Sequence, residues 1–215
     1  MKRLTGCFLL VGGLAHGLAA QGDVRARLVG RVPPDVAQFV GTLADSALAR
    51  GLPQTPLVDK ALEGAAKSAA PDRINAAVRA VFGQLQAAAQ AIRDAGTNAT
   101  SDAVEAGAFA LGAGLTASDV SDVARTADRN HPTAVALQVA GTLVALGVPR
   151  AQSVGLVRAA IRSGQSVGDL TSLPGQVQAA TAGGQPPAAA AQGLERAAEA
   201  RAQPHGKATG NPHKP

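Results

Sequence analysis

From about residue 32 onward, apolar side chains recur every three or four positions, the spacing that lines one face of an α-helix. After Pro33-Pro34-Asp35, the residues Val36, Phe39, Val40, Leu43 and Ala47 share a face, and Gln38, Thr42, Asp45 and Ser46 take the opposite one. Pro34 suits a first helical turn, where its missing N–H removes a donor that has no partner. Gly51 then closes the helix. Thr55-Pro56 predicts the next start, a hydroxyl cap ahead of a proline, and Leu57, Val58, Ala61 and Leu62 carry that helix to Lys67. Pro71-Asp72 opens the longest element. Its stripe of Ile74, Val78, Val81, Phe82, Leu85, Ala89 and Ile92 runs to a stop at Gly96.

Shorter helices follow the same punctuation. Ser101 caps one that passes through Val104, Phe109 and Leu111. Thr116 with Asp119 three positions on reads as a capping-box variant leading into Val120, Val123 and Ala127. Pro132 to Leu146 is nearly all apolar, Thr133, Gln138 and Thr142 being the exceptions. That segment is too short to cross a bilayer, so it predicts a buried central helix. Arg150 to Ser163 turns Val154, Val157 and Ile161 inward. Ser166 opens a last amphipathic helix with Val167, Leu170, Leu173 and Val177, which Pro174 should kink or end. No alternating run bounded by turn residues is present, so no sheet is expected. The expected fold is all-α: a compact array of about eight short helices over residues 32–180, an irregular bundle or stacked helical hairpins.

Outside that array the pattern changes. Residues 21–31 read as an N-terminal extension, and residues 181–187, with Gly183-Gly184-Gln185-Pro186-Pro187, as a linker. Residues 188–202 are alanine-rich with Leu194 the one sizeable apolar group, which predicts a marginal helix. Residues 203–215 are basic and rich in glycine and proline, a composition expected to be disordered. Gly114-Leu115-Thr116 and Gly147-Val148-Pro149 lie 33 residues apart, and at that offset Arg125 meets Arg158, Ala127 meets Ala160, and Arg129 meets Arg162. Gly51-Leu52-Pro53 begins a similar unit. A period of this size suits stacked hairpins. Alanine-rich helices with glycine stops also align with one another by chance.

The first twenty residues are of another kind. Lys2 and Arg3 precede an apolar run from Leu4 to Leu14, and Gly17-Leu18-Ala19 places small residues before a cut. This is the form of a secretory signal cleaved near Ala19 or Ala20. Leu4-Thr5-Gly6-Cys7 has the look of a lipoprotein processing site, yet most of the apolar run follows Cys7 instead of preceding it. Cys7 is therefore expected to leave with the signal. The mature chain would hold no cysteine, and so no disulfide, thiolate nucleophile or cysteine-bound metal. The expected location is periplasmic or secreted, with no membrane span after cleavage.

Charge narrows the field further. The chain carries +5, but Lys2 and Arg3 go with the signal, leaving 18 basic against 15 acidic residues. Nucleic-acid binding needs a clustered basic face and stacking aromatics. Here basic and acidic residues are interspersed, and Trp and Tyr are absent. Nucleic acid is not an expected partner.

Several motifs invite chemistry, and each has a plainer reading. Gly164-Gln165-Ser166-Val167-Gly168 matches the serine elbow G-x-S-x-G, which needs a strand before the serine. A helix precedes it here, and Ser166 with Asp169 reads as a cap. Gly112-Ala113-Gly114-Leu115-Thr116-Ala117 matches the relaxed dinucleotide pattern, but a helix ends there where a strand is required. His131, in Asn130-His131-Pro132, reads as a polar turn residue. His205 and His213 sit in the tail, where they would hold a divalent cation loosely at most. Asp119 and Asp122 suit a first helical turn better than acid–base work. Asn98-Ala99-Thr100 is a glycosylation sequon by pattern, with Thr100 and Ser101 as caps. No catalytic, cofactor-binding or metal residue is assigned, and no cofactor is expected.

GLPQTPLVDKALEGAAK followed by PDRINAAVRAVFGQL, from Gly51 to Gln90, resembles a helix-turn-helix stretch of uncharacterised exported bacterial proteins. The resemblance implies no activity and no site residues. Three classes of function remain. The first is an extracytoplasmic protein-interaction or structural module with an unknown protein partner in the cell envelope. The second is a peripheral envelope binder whose basic tail makes weak contact with anionic lipid or wall polymer. The third is an enzyme of unfamiliar type.

Overall fold

The computed structural model describes residues 24–202. The expected signal with Cys7, and the tail with His205 and His213, lie outside the described residues. Within them the chain is helical, with turns and no strand. The described part of α1 covers 24–28. There follow α2 (Pro34–Leu48), α3 (Thr55–Ala66), α4 (Pro71–Asp94), α5 (Ser101–Ala113), α6 (Ala117–Thr126), α7 (Thr133–Ala145), α8 (Arg150–Arg162), α9 (Val167–Ala182) and α10 (Pro187–Ala202). The eight helices expected over residues 32–180 are α2 to α9. The chain divides into two units, with the division inside α4 between Phe82 and Gly83.

In the first unit, Leu28, Val36, Val40, Leu57, Val58, Ile74 and Val78 are fully or almost fully buried. The reading of 21–31 as a plain extension missed α1. Val24, Leu28 and Val32 recur every fourth position and all three are buried. α3 starts one residue earlier than its proline signal suggested: Gln54 is the N-cap, with Thr55 and Pro56 in the first turn. The Gln54 amide reaches back and donates to the Ala44 carbonyl at 2.9 Å. Phe39 and Phe82, each half-buried, lie under guanidinium groups, Arg79 over Phe39 at 5.0 Å and Arg50 over Phe82 at 5.4 Å. A cation over an aromatic face is favoured by the ring quadrupole.

The second unit is built by skipping. α5 packs most extensively on α7, α7 on α9 as well, α6 on α8, and α8 on α10. Neighbours in sequence also touch, as α5–α6, α7–α8 and α9–α10. The result is two layers, α5–α7–α9 and α6–α8–α10, made from three stacked hairpins. Such stacking lets each hairpin bury a face it cannot bury alone.

The 33-residue offset is thus a repeat of structure. Val104, Leu137 and Leu170 are spaced by it on α5, α7 and α9, and all are buried. Val120 and Ser153 on α6 and α8 share it too, as do Val123 and Leu156. α10 falls four residues later, after a longer α9 and the Gly183–Pro186 turn, and there Ala190, Ala191 and Ala198 stand where Ser153, Val154 and Ile161 stand on α8. The connectors match as well. Gly114 and Gly147 both hold positive φ, and the next residue, Leu115 or Val148, bonds back to a carbonyl five positions earlier and is buried. A left-handed residue costs a side chain strain that glycine avoids.

Two local expectations are corrected. α9 does not end at Pro174 but continues through it to Ala182. The cap of α5 is Thr100, whose side chain accepts from the Ala103 N–H, with Ser101 already in the first turn.

Candidate functional site

The residues singled out for chemistry are mostly spent on helix ends. Ser166 Oγ accepts from the Asp169 N–H at 3.1 Å and donates to the Asp169 carboxylate at 2.8 Å. The Ser166 N–H donates to the same carboxylate at 3.1 Å. Both bonds hold the Asp169 carboxyl below its usual range. This is a reciprocal capping box at the start of α9, and the helix before it rules out a strand-borne elbow. Thr116 and Asp119 form the same box on α6, and Asp119 also pairs with Arg150 at 3.1 Å, tying the starts of α6 and α8. Asp122 pairs with Arg125 on its own helix instead of approaching Asp119. Gly112 lies within α5 and Gly114 is its C-cap, so the glycine pattern there belongs to a helix end. Asn98 is exposed in the turn before α5.

His131 departs most from its sequence reading. It is 4% exposed, although it lies in the turn between α6 and α7. Asp128 Oδ1 accepts the backbone N–H groups of Asn130 and His131, both at 2.8 Å, which folds the turn so that the ring faces inward. The same oxygen meets His131 Nδ1 at 3.0 Å. On the other side Nε2 meets the carbonyl oxygen of Gln165, in the turn between α8 and α9. A carbonyl and an ionised carboxylate only accept hydrogen bonds. The two bonds are made together only when both ring nitrogens carry hydrogen, so the site favours imidazolium. The Gln165 carbonyl raises the His131 pKa most, burial opposes it, and Asp128 raises it again. Reciprocally, the His131 hydrogen bond holds the Asp128 carboxyl below its ordinary range.

The turn of Ser166 therefore lies beside an Asp–His pair, a juxtaposition the sequence hid across 34 residues. The hydrogen bonding does not make a nucleophile of the serine. His131 Nε2 is held by a carbonyl, and the hydroxyl belongs to Asp169. A general base needs a free nitrogen within reach of the proton it takes. One signal for burial was legible: Asp128, three residues before His131, is the residue type that folds such a turn. The acceptor on Gln165 left no mark in the sequence.

Elsewhere, Glu195 on α10 lies over Gly155 of α8, its pKa pushed up by burial and then by Glu199, with Arg162 opposing. A groove lined by Ala87, Gln90, Ala91, Ala117, Ser121 and Arg125 runs between the second half of α4 and α6, with a volume of about 450 Å³. Among the described residues no group of three or more His, Cys, Asp or Glu side chains is placed to hold a metal, and no helix is long and apolar enough to cross a membrane.

Charge is spread unevenly over the helices of the second unit. α7 and α9 together carry one charged side chain, Asp169, and it is used in the cap. α6, α8 and α10 carry ten. α5, in the same layer, adds Asp102 and Glu105. The solvent side of α7 and α9 offers Gln138, Thr171, Ser172 and Gln176, with Phe109 of α5 at 42% exposure. Compared with known protein families, curated proteins and solved structures, the chain has no significant match in any of the three.

Proposed function

We propose that the protein is an exported helical module that binds another protein outside the cytoplasm, using the α5–α7–α9 layer of its stacked hairpins. The observation that carries this reading is the near-absence of charge on α7 and α9 beside the charge-rich α6, α8 and α10. Cores of protein interfaces are depleted in charged residues, and stacked hairpins present extended surfaces suited to binding. The engagement of Ser166, Asp119, Asp122 and His131 within the fold favours a binding role over catalysis. Export is supported by the basic, apolar and small-residue order of the first twenty positions.

The test is capture from envelope extract with the tagged mature chain and three charge insertions. Gln138→Arg and Thr171→Arg are expected to abolish recovery of the partner. Gln192→Arg, on exposed α10, is expected to leave it intact, and all three variants should melt like the parent. Recovery unaffected by the first two changes would refute the surface. Intact mass of the exported material should lack the first twenty or so residues, and a full-length mass there would refute the export reading.

A further inference from the structure

We propose that protonated His131 is a pH-dependent latch that fastens the turn between α6 and α7 to the turn between α8 and α9, and so regulates how firmly the third hairpin stacks on the second. The two turns are successive joints between hairpins, since α6–α7 links the first to the second and α8–α9 links the second to the third. Among the described residues, the side chain that bridges them through hydrogen bonds on both ring nitrogens is His131.

The chemistry of the two acceptors sets the direction of the switch. With both nitrogens protonated, each acceptor receives a hydrogen. Once the ring is neutral, one nitrogen presents a lone pair to an oxygen lone pair, and one bond must break. Asp128 is an ionised acceptor fixed by the Asn130 and His131 amides, and a hydrogen bond to a charged acceptor is stronger than one to the neutral Gln165 carbonyl. The neutral ring therefore keeps its N–H on Nδ1 toward Asp128, and Nε2 then faces the Gln165 carbonyl with a lone pair, which breaks the bond between the two turns. The 128–131 turn keeps its own hydrogen bonds to Asp128, so what the deprotonated ring lets go is the α8–α9 turn.

Of the charged groups on the surrounding elements, Asp128 alone acts electrostatically on the ring. On α6, Arg125 is held by Asp122 and Ser121. On α8, the Arg162 Nε–H donates to the Arg158 carbonyl. On α9, Asp169 is held by Ser166. Arg129, in the turn itself, is exposed. α7 has no charged side chain.

The sign follows from linkage. A histidine whose folded pKa lies above its unfolded value stabilises fully below about 6.5, and that stabilisation disappears as pH rises through the folded pKa. Asp128 has the opposite sense: its contribution is present above 3.8 and lost as pH falls through its lowered folded value. The latch is closed between these limits and opens on the alkaline side.

Nuclear magnetic resonance of the full mature chain reads this directly. The ring protons of His131 are assigned by their loss in His131→Gln and followed from acid to alkaline pH. The expected result is a midpoint above the ordinary histidine value of about 6.5, with the Asn130, His131 and Ser166 amides shifting at the same midpoint. Asp128→Asn keeps an oxygen acceptor for the turn but removes its charge, and should move the midpoint down. In thermal melts the parent should lose stability as pH rises through the midpoint, while His131→Gln shows no such step. If His131→Gln fails to fold, the parent titration and Asp128→Asn still decide. A midpoint at or below about 6.5, a midpoint unchanged in Asp128→Asn, or amides that ignore the titration would each overturn the latch.

Discussion

One absent methyl group sets how closely α5 and α7 approach. A Cβ at Gly141 would stand 2.9 Å from the Ala110 Cα and 2.9 Å from the Phe109 ring. Backbone cannot yield as a flexible side chain can, so Gly141→Ala should cost about 1–3 kcal/mol despite its better helix propensity. Gly193, in the middle of α10, has nothing within 4 Å of the same position. Gly193→Ala should therefore gain about 0.5–1 kcal/mol, because alanine restricts the unfolded chain and fits the helix. Urea denaturation of both variants measures the pair, and equal shifts in one direction would contradict the close approach at Gly141. His131 shows the limit of reading residues singly. Its turn was legible, but its second acceptor is a backbone carbonyl on Gln165, and carbonyls look alike in every sequence.

Helix ends were the most legible elements because their chemistry is local. Thr116 with Asp119, and Ser166 with Asp169, are each complete within four residues. Thr116→Ala and Ser166→Ala should each cost about 1 kcal/mol in chemical denaturation, the usual value of a lost N-cap. A variant within experimental error of the parent would mean that the box adds nothing to stability. Of the two outcomes expected at Pro174, a kink or an end, the end is excluded, because α9 packs on α7, α8 and α10 and runs through it to Ala182. α10, read as a marginal helix, makes its contacts with α8 and α9 through small side chains. Leu194 was counted as its one sizeable apolar group, yet the fully buried positions are Ala190, Ala191 and Ala198. Small side chains let α10 lie close to α8, so contact replaces bulk.

Within residues 83–202 the three hairpins share one core, and stability should depend on nearest neighbours. Leu137 on α7 is fully buried and lies against Gly107 of α5. Leu137→Ala should cost about 2–5 kcal/mol, since the cavity forms where two rigid helices cannot collapse. Ending the chain at Gly184 removes α10 and uncovers α8 around Gly155. That truncation should lower the Tm by at least about 5 °C, more than loss of a marginal appendage would. Differential scanning calorimetry checks both, and an unchanged Tm after truncation would make α10 dispensable.

Apolar spacing, proline starts, glycine stops and hydroxyl–carboxylate caps were enough to write down an all-α chain and to find eight of its helices, because each signal is complete within a turn or two of backbone. The 33-residue offset was visible but ambiguous, for alanine-rich helices align with each other whether or not they stack. Folding resolved it by burying Val104, Leu137 and Leu170 at one spacing. The same packing set α10 against α8 and α9 and brought His131 to Gln165. These last features depend on groups dozens of residues apart and on backbone carbonyls. Neither carries a residue-type signature, so three-dimensional packing alone assigns them.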